Sequence, residues 1–330
     1  MASVTTSLLT GAIFGTGLTL SGVASPRVIK DQFRLSDFHM LVTFLTASAS
    51  SAAVFAIYNS HVREKKITPR TSTSHGWLGR LDGNVIGGAL LGLGMGLTGA
   101  CPGTVIVQAT AGVGRSQLLA LSSILAGIVW VKLKPAISRQ LSSAKDEYNG
   151  TVMTATGWSA RKSAAVYIMA MAACIGAVLA TAPRSPSLLH PIIGGLFIGF
   201  GQMSSVLLAR KSVGVSSAYE DIGRMFWNTV EGRKTSSLPA SISFVGGIVM
   251  GTMATITTVP AIREILNRSE DVSLTSTILG AFLLTFGARI GGGCTSGHGI
   301  SGMASMGLSS FISVAAMFGA GLFAGSLFKL

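Results

Sequence analysis

GAFLLTFGARIGGGCTSGHGISGMASMG, residues Gly280–Gly307, is the stretch whose reading decides the fold. An apolar run ends in three glycines and Cys294, and small polar residues follow. Glycine and small hydroxyl residues oppose a continuous helix. An earlier stretch, GGALLGLGMGLTGACPGTVIVQATAGVG at Gly87–Gly114, has the same plan. Adding 193 carries Gly87 onto Gly280, Gly94 onto Gly287, Gly99 onto Gly292 and Cys101 onto Cys294. Two of the three cysteines therefore share one register of an internal repeat.

The composition tells what surrounds this repeat. Of 330 residues, 48% are hydrophobic and 11% charged, against about 25% charged in a soluble domain. Mean hydropathy is +0.59. The chain is expected to be a polytopic, all-α membrane protein. Its 42 glycines suit close helix packing. The net charge of +13 lies mostly between apolar runs, which points to topology and contact with the lipid bilayer rather than to nucleic acid. A positive field also concentrates anions. Three cysteines without a CxxC pair form neither a disulfide framework nor a zinc spacing.

Nine spans of about 20 residues are expected near 5–22, 40–58, 84–100, 116–132, 164–182, 191–208, 241–258, 274–290 and 310–327. Even-numbered connections carry 16 Lys and Arg and odd-numbered ones seven. The positive-inside rule then puts the N-terminus in the cytoplasm, in what is expected to be the plasma membrane. Residues 1–132 form one half and 191–330 the other. Residues 133–190, a basic loop with Asp146 and Glu147 and one span, join them. The odd offset inverts the second half, a plan common among secondary transporters. FGTG at Phe14–Gly17 also matches IGFG at Ile198–Gly201, weakly, with a shift of 184. The sixth connection, about 209–240, reads as an ordinary cytoplasmic loop, with an amphipathic stretch around Arg224, Phe226 and Trp227 as the alternative.

Irregular backbone at membrane depth survives only where protein or cavity water satisfies it. Both Gly/Cys breaks should therefore line a cavity, with helix N-termini that favour an anion. A thiol is a weak, polarisable donor. Cys101 and Cys294 are expected to touch substrate, whereas Cys174 sits in a regular apolar run and reads as packing. Thr104, Thr295, Ser296 and Thr98 are hydroxyl donors nearby. Arg289 either balances an anion or snorkels to the membrane edge. His298 binds an anion or, more simply, a loop carbonyl. Gln108 and Gln202 satisfy either backbone or substrate. No metalloprotease, P-loop or nucleophile-elbow motif is present. No enzyme activity, cofactor or metal is expected. The acidic residues fall in connections, leaving no candidate for proton coupling through a buried carboxylate.

At GARIGGGCTSGHGISG (Gly287–Gly302) and GLTGACPGT (Gly96–Thr104) the chain resembles the YeeE/YedE family of sulphur-transport membrane proteins. Its best understood members are bacterial thiosulfate importers. The resemblance implies short re-entrant helices around a central pore and thiosulfate passing cysteine thiols, here Cys101 and Cys294. Importers of this kind have a third cysteine in the first hairpin. This chain reads LTLSGVASP there (Leu18–Pro26), so Ser21, or Ser25, stands in its place. The expected function is a permease for a small anionic sulphur substrate, thiosulfate first, with a cytoplasmic sulphur-accepting protein as partner. The alternatives are a path for another small anion or sulphur or selenium species, a membrane sulphurtransferase, and a scaffold.

Overall fold

The computed structural model describes residues 3–64, 66–138, 150–182, 189–234, 237–267 and 272–327. The expected Asp146 and Glu147, and the basic Lys65, Arg139, Lys145, Arg184 and Arg268, lie outside them. Among the described residues the secondary structure is helical, apart from one isolated bridge between Thr151 and Gly307.

In the first half α1 (Val4–Leu20) leads through a five-residue hairpin to the short α2 (Pro26–Phe33), and α3 (His39–His61) follows. Then come α4 (Asp82–Thr98), α5 (Pro102–Ala111) and α6 (Ser116–Ser138). A single turn, α7 (Val152–Thr156), precedes the joining helix α8 (Ala160–Thr181). The second half holds α9 (Pro191–Ser204), a π-helical turn at Ser205–Ala209, α10 (Ser217–Val230) and α11 (Ala240–Thr258). It closes with α12 (Pro260–Asn267), α13 (Leu274–Ile290), a π-helical segment at Thr295–Gly302 and α14 (Leu308–Leu327).

All nine expected spans fall on helices. Among the described residues seven runs are long and apolar enough to cross a bilayer. An eighth is α13 with its π-helical segment, bent by 47°. The remaining one, α1, is apolar but only 17 residues long. Met169, Leu196, Phe200, Met250 and Phe323 are exposed on these helices, as lipid-facing side chains must be.

The halves are related by packing as well as by sequence. The pairing of α1 with α11 recurs as α9 with α3, and that of α4 with α14 recurs as α13 with α6. The α4–α13 crossing tests the register. If residue i+193 takes the place of residue i, a contact between Gly87 and Gly287 demands one between Gly280 and Gly94. Both occur: a Cβ on Gly87 would stand 2.7 Å from Gly287 O, and one on Gly94 2.6 Å from Gly280 O. The weak match at shift 184 behaves alike. A Cβ on Gly17 would lie 3.2 Å from Ile198 N, and one on Gly201 2.9 Å from the Phe14 Cα. Lipid offers no hydrophobic drive for helix association, so backbones must approach closely, and glycine allows it.

The sixth connection departs from the expected ordinary loop. Its amphipathic stretch is α10, packed across α6 where a Cβ on Gly223 would meet Gly127 O at 2.5 Å. Trp227 Nε1 donates to Ile128 O at 3.0 Å.

Candidate functional site

In the first half Gly99, at φ +65°, ends α4 in the left-handed region open to glycine. Cys101 then caps α5, with Pro102 at its first turn. Cys101 Sγ accepts from Thr104 N at 3.4 Å, while Cys101 N donates to Thr104 Oγ1 at 2.7 Å. This reciprocal pair satisfies two donors at the helix start. Gln108 Nε2 donates to Gly99 O at 3.0 Å and to Ala24 O at 2.9 Å, fastening the first hairpin to the break. The backbone role of Gln108 thus holds. The segment α4–α5 continues as one 30-residue span.

In the second half Gly292, at φ +74°, takes the place of Gly99. Its register partner of Thr104 is Gly297, so no capping box can close at Cys294. The last carbonyls of α13 are instead satisfied by the connection between α3 and α4. His75 Nε2 donates to Ile290 O at 3.0 Å, Thr73 Oγ1 to Gly291 O at 3.2 Å, and Arg70 Nη1 to Gly292 O at 3.0 Å. His298 Nε2 also donates to Gly291 O at 2.8 Å, and its Nδ1 accepts from Ser310 Oγ at 3.1 Å. Both ring nitrogens are committed to the loop, which favours the simpler role for His298.

A cavity of about 50 Å³ lies between the two breaks, a few times the space one water needs. Cys101 and Thr104 line it from one half, Thr295 and Ser296 from the other. Phe14, Leu18, Phe44, Ile198 and Ile300 give it apolar walls. Cys294 is fully buried, with Sγ 3.2 Å from Ser296 Oγ, so it stands one side chain behind the cavity wall. Arg289, His298 and Ser21 are not among the lining residues. The Ser21 hydroxyl donates to Leu18 O at 2.9 Å, and its Cβ faces α9 at Gly194. Ser25 is the residue that precedes α2 as its N-cap, as Cys101 precedes α5. Cys174 is exposed on α8.

Arg289 has a partner that neither reading anticipated. Its Nη2 is ion-paired with Glu220 of α10, a carboxylate that also takes Arg224 and Lys134 Nζ, the latter at 2.9 Å. Glu220 lies in a connection, as expected of the acidic residues, but it is buried there, which the expectation of no buried carboxylate available for proton coupling did not foresee. Burial opposes its ionisation, but Arg289, Lys134 and Arg224 outweigh that and hold it at about 2. Tyr219, its neighbour, donates from its hydroxyl to Pro102 O at 2.8 Å, and Ser216 lies against the Cys294 thiol. Helix α10 thereby touches both breaks.

Arg70, Ser216, Tyr219 and Glu220 are the residues that sequence reasoning passed over. Arg70 counted only as a topological charge. The amphipathic pattern of α10 and the serine preceding it, placed like Ser25 before α2, were the available signals.

These features define an integral membrane protein with interrupted helices meeting at a central cavity. The chain belongs to the sulphur transport family, whose family model matches residues 21–324. It is similar to a probable transporter of Xylella fastidiosa strain Temecula1, 31% identical over 130 residues. That match covers 38% of this chain and 84% of the relative. A probable transporter of strain 9a5c is 29% identical with the same coverage. A share of 38% is close to the size of either repeat half.

Proposed function

We propose that the protein is a permease that imports a small sulphur oxyanion, thiosulfate first, along a path from Cys101 to Cys294. The observation that carries this reading is the shared cavity. Cys101 and Thr104 face Thr295 and Ser296 across it, and Cys294 waits behind Ser296. A thiol is a modest donor, so an anion can bind at it and still leave. The start of α5 adds its positive end. The apolar walls exclude water and wait on side-chain movement before the anion crosses. The Cys101 break faces outward and the Cys294 break inward, with the N-terminus in the cytoplasm of a plasma membrane and a sulphur-accepting protein beyond.

The test is uptake of labelled thiosulfate into vesicles by wild type, Cys101→Ala and Cys294→Ala. Each substitution should lower uptake at least about tenfold at equal expression. Uptake unchanged in both variants would sink the thiol path.

A further inference from the structure

Arg70 is a part-buried cation in the connection between α3 and α4. Its Nη1 bonds Gly292 O, and its Nε is buried without a partner. Among the described residues no carboxylate pairs with it, whereas Arg289 has Glu220. Three glycines make its berth. A Cβ on Gly214 would stand 3.0 Å from Nη2, one on Gly297 3.2 Å from Nη2, and one on Gly293 3.2 Å from Nη1. Gly293 and Gly297 flank Cys294 in sequence, so the guanidinium lies against the Cys294 loop. Gly214 also lines a second, polar cavity of about 150 Å³, with Ser7, Thr10, Lys211 and Ser212 around it. Gly214 thus touches both the guanidinium and a cavity that holds another cation.

A half-buried cation in a membrane protein without a carboxylate partner is costly and usually marks an ion pathway. We propose that Arg70 is the anion-binding residue of the inner thiol site: an oxyanion at Cys294 supplies the counter-charge that no described carboxylate gives Arg70. This rests on the transport reading above and gives it a charge filter. Cys294 offers a soft contact that tolerates sulphur, and Arg70, whose Nη1 already bonds Gly292 O, supplies positive charge for the oxygen. Together they select an oxyanion that carries sulphur over a neutral sulphur compound.

The experiment is thiosulfate uptake into proteoliposomes by wild type, Arg70→Gln and Arg70→Lys, with KM and maximal rate separated and melting temperatures recorded. Loss of one charge-assisted contact should raise KM of Arg70→Gln at least about tenfold, while Arg70→Lys stays within about threefold of wild type. A wild-type KM in Arg70→Gln overturns the proposal. So does an Arg70→Lys variant as impaired as Arg70→Gln, the result of a mere clamp on Gly292. Should Arg70→Gln fail to fold, Gly297→Thr displaces the guanidinium without removing it. It should raise KM in the same way, and an unchanged KM there also overturns the proposal. No uptake by wild type would instead defeat the transport reading itself.

Discussion

Shifted by 193 residues, Pro102-Gly103-Thr104 becomes Thr295-Ser296-Gly297, and the last pair separates the two thiol sites. At Cys101 the threonine closes a capping box, so the site is completed by its own helix. At Cys294 the glycine leaves a gap, and Arg70 from 227 positions earlier fills it. One register thus supports a neutral site satisfied locally and a charged site satisfied from a distance. An inverted repeat fixes where two breaks lie. It does not require that they be completed in the same way.

Several substitutions would break or sharpen this contrast. The largest effect is expected at Glu220→Gln, which strands Arg289 beside the charged site and costs about 3–5 kcal/mol of stability. The first site, without an ion pair, has no equivalent. The folded Glu220 titrates at about 2 against an ordinary 4.5. Its contribution is therefore complete above pH 4.5 and lost as pH falls toward 2. The gap in melting temperature between wild type and Glu220→Gln should be widest near neutrality and close over that range. A gap that persists at low pH would mean that charge pairing is not its source.

Next comes Gly299→Ala. Its Cβ would stand 2.2 Å from the Phe44 ring, itself packed on Phe318, at a cost of about 1–3 kcal/mol. Gly103→Ala, in the matching short helix of the first half, meets nothing closer than 3.5 Å. It should cost under about 1 kcal/mol or stabilise slightly. Thermal melting of the pair measures this difference, and equal costs would show that the two breaks are packed alike. A smaller effect than that of Gly299→Ala is expected at Thr104→Val, which opens the capping box and should cost about 1 kcal/mol. A melting temperature equal to wild type would remove the local support ascribed to Cys101.

Much of this arrangement was legible in the chain. The nine spans followed from apolar run length, and the repeat register from the spacing of Gly87, Gly94, Gly280 and Gly287, whose crossing of α4 with α13 is seen only in the structure. Even the weak match at Phe14–Gly17 corresponds to a real helix contact. Thr104, Thr295 and Ser296 line the cavity, and each lies next to a break in sequence. Ser21 illustrates the limit. Which of two serines four residues apart faces a path depends on the turn of one hairpin, and composition does not specify that turn. Glu220 illustrates another. In a polar, amphipathic connection an acidic residue looks solvated until the helix bearing it is seen packed on α6.

The sequence by itself determined an all-α membrane architecture, its doubled plan and the two cysteines at equivalent breaks. These are local properties: hydropathy over one span, or helix-opposing residues over a few positions. Only the tertiary structure decided which charges are buried and what answers them. Arg289 is paired with a carboxylate 69 residues away, and Arg70 reaches a carbonyl 222 residues away. Compensation of buried charge is set by distance in space, and a membrane interior makes it decisive because water is not there to supply it.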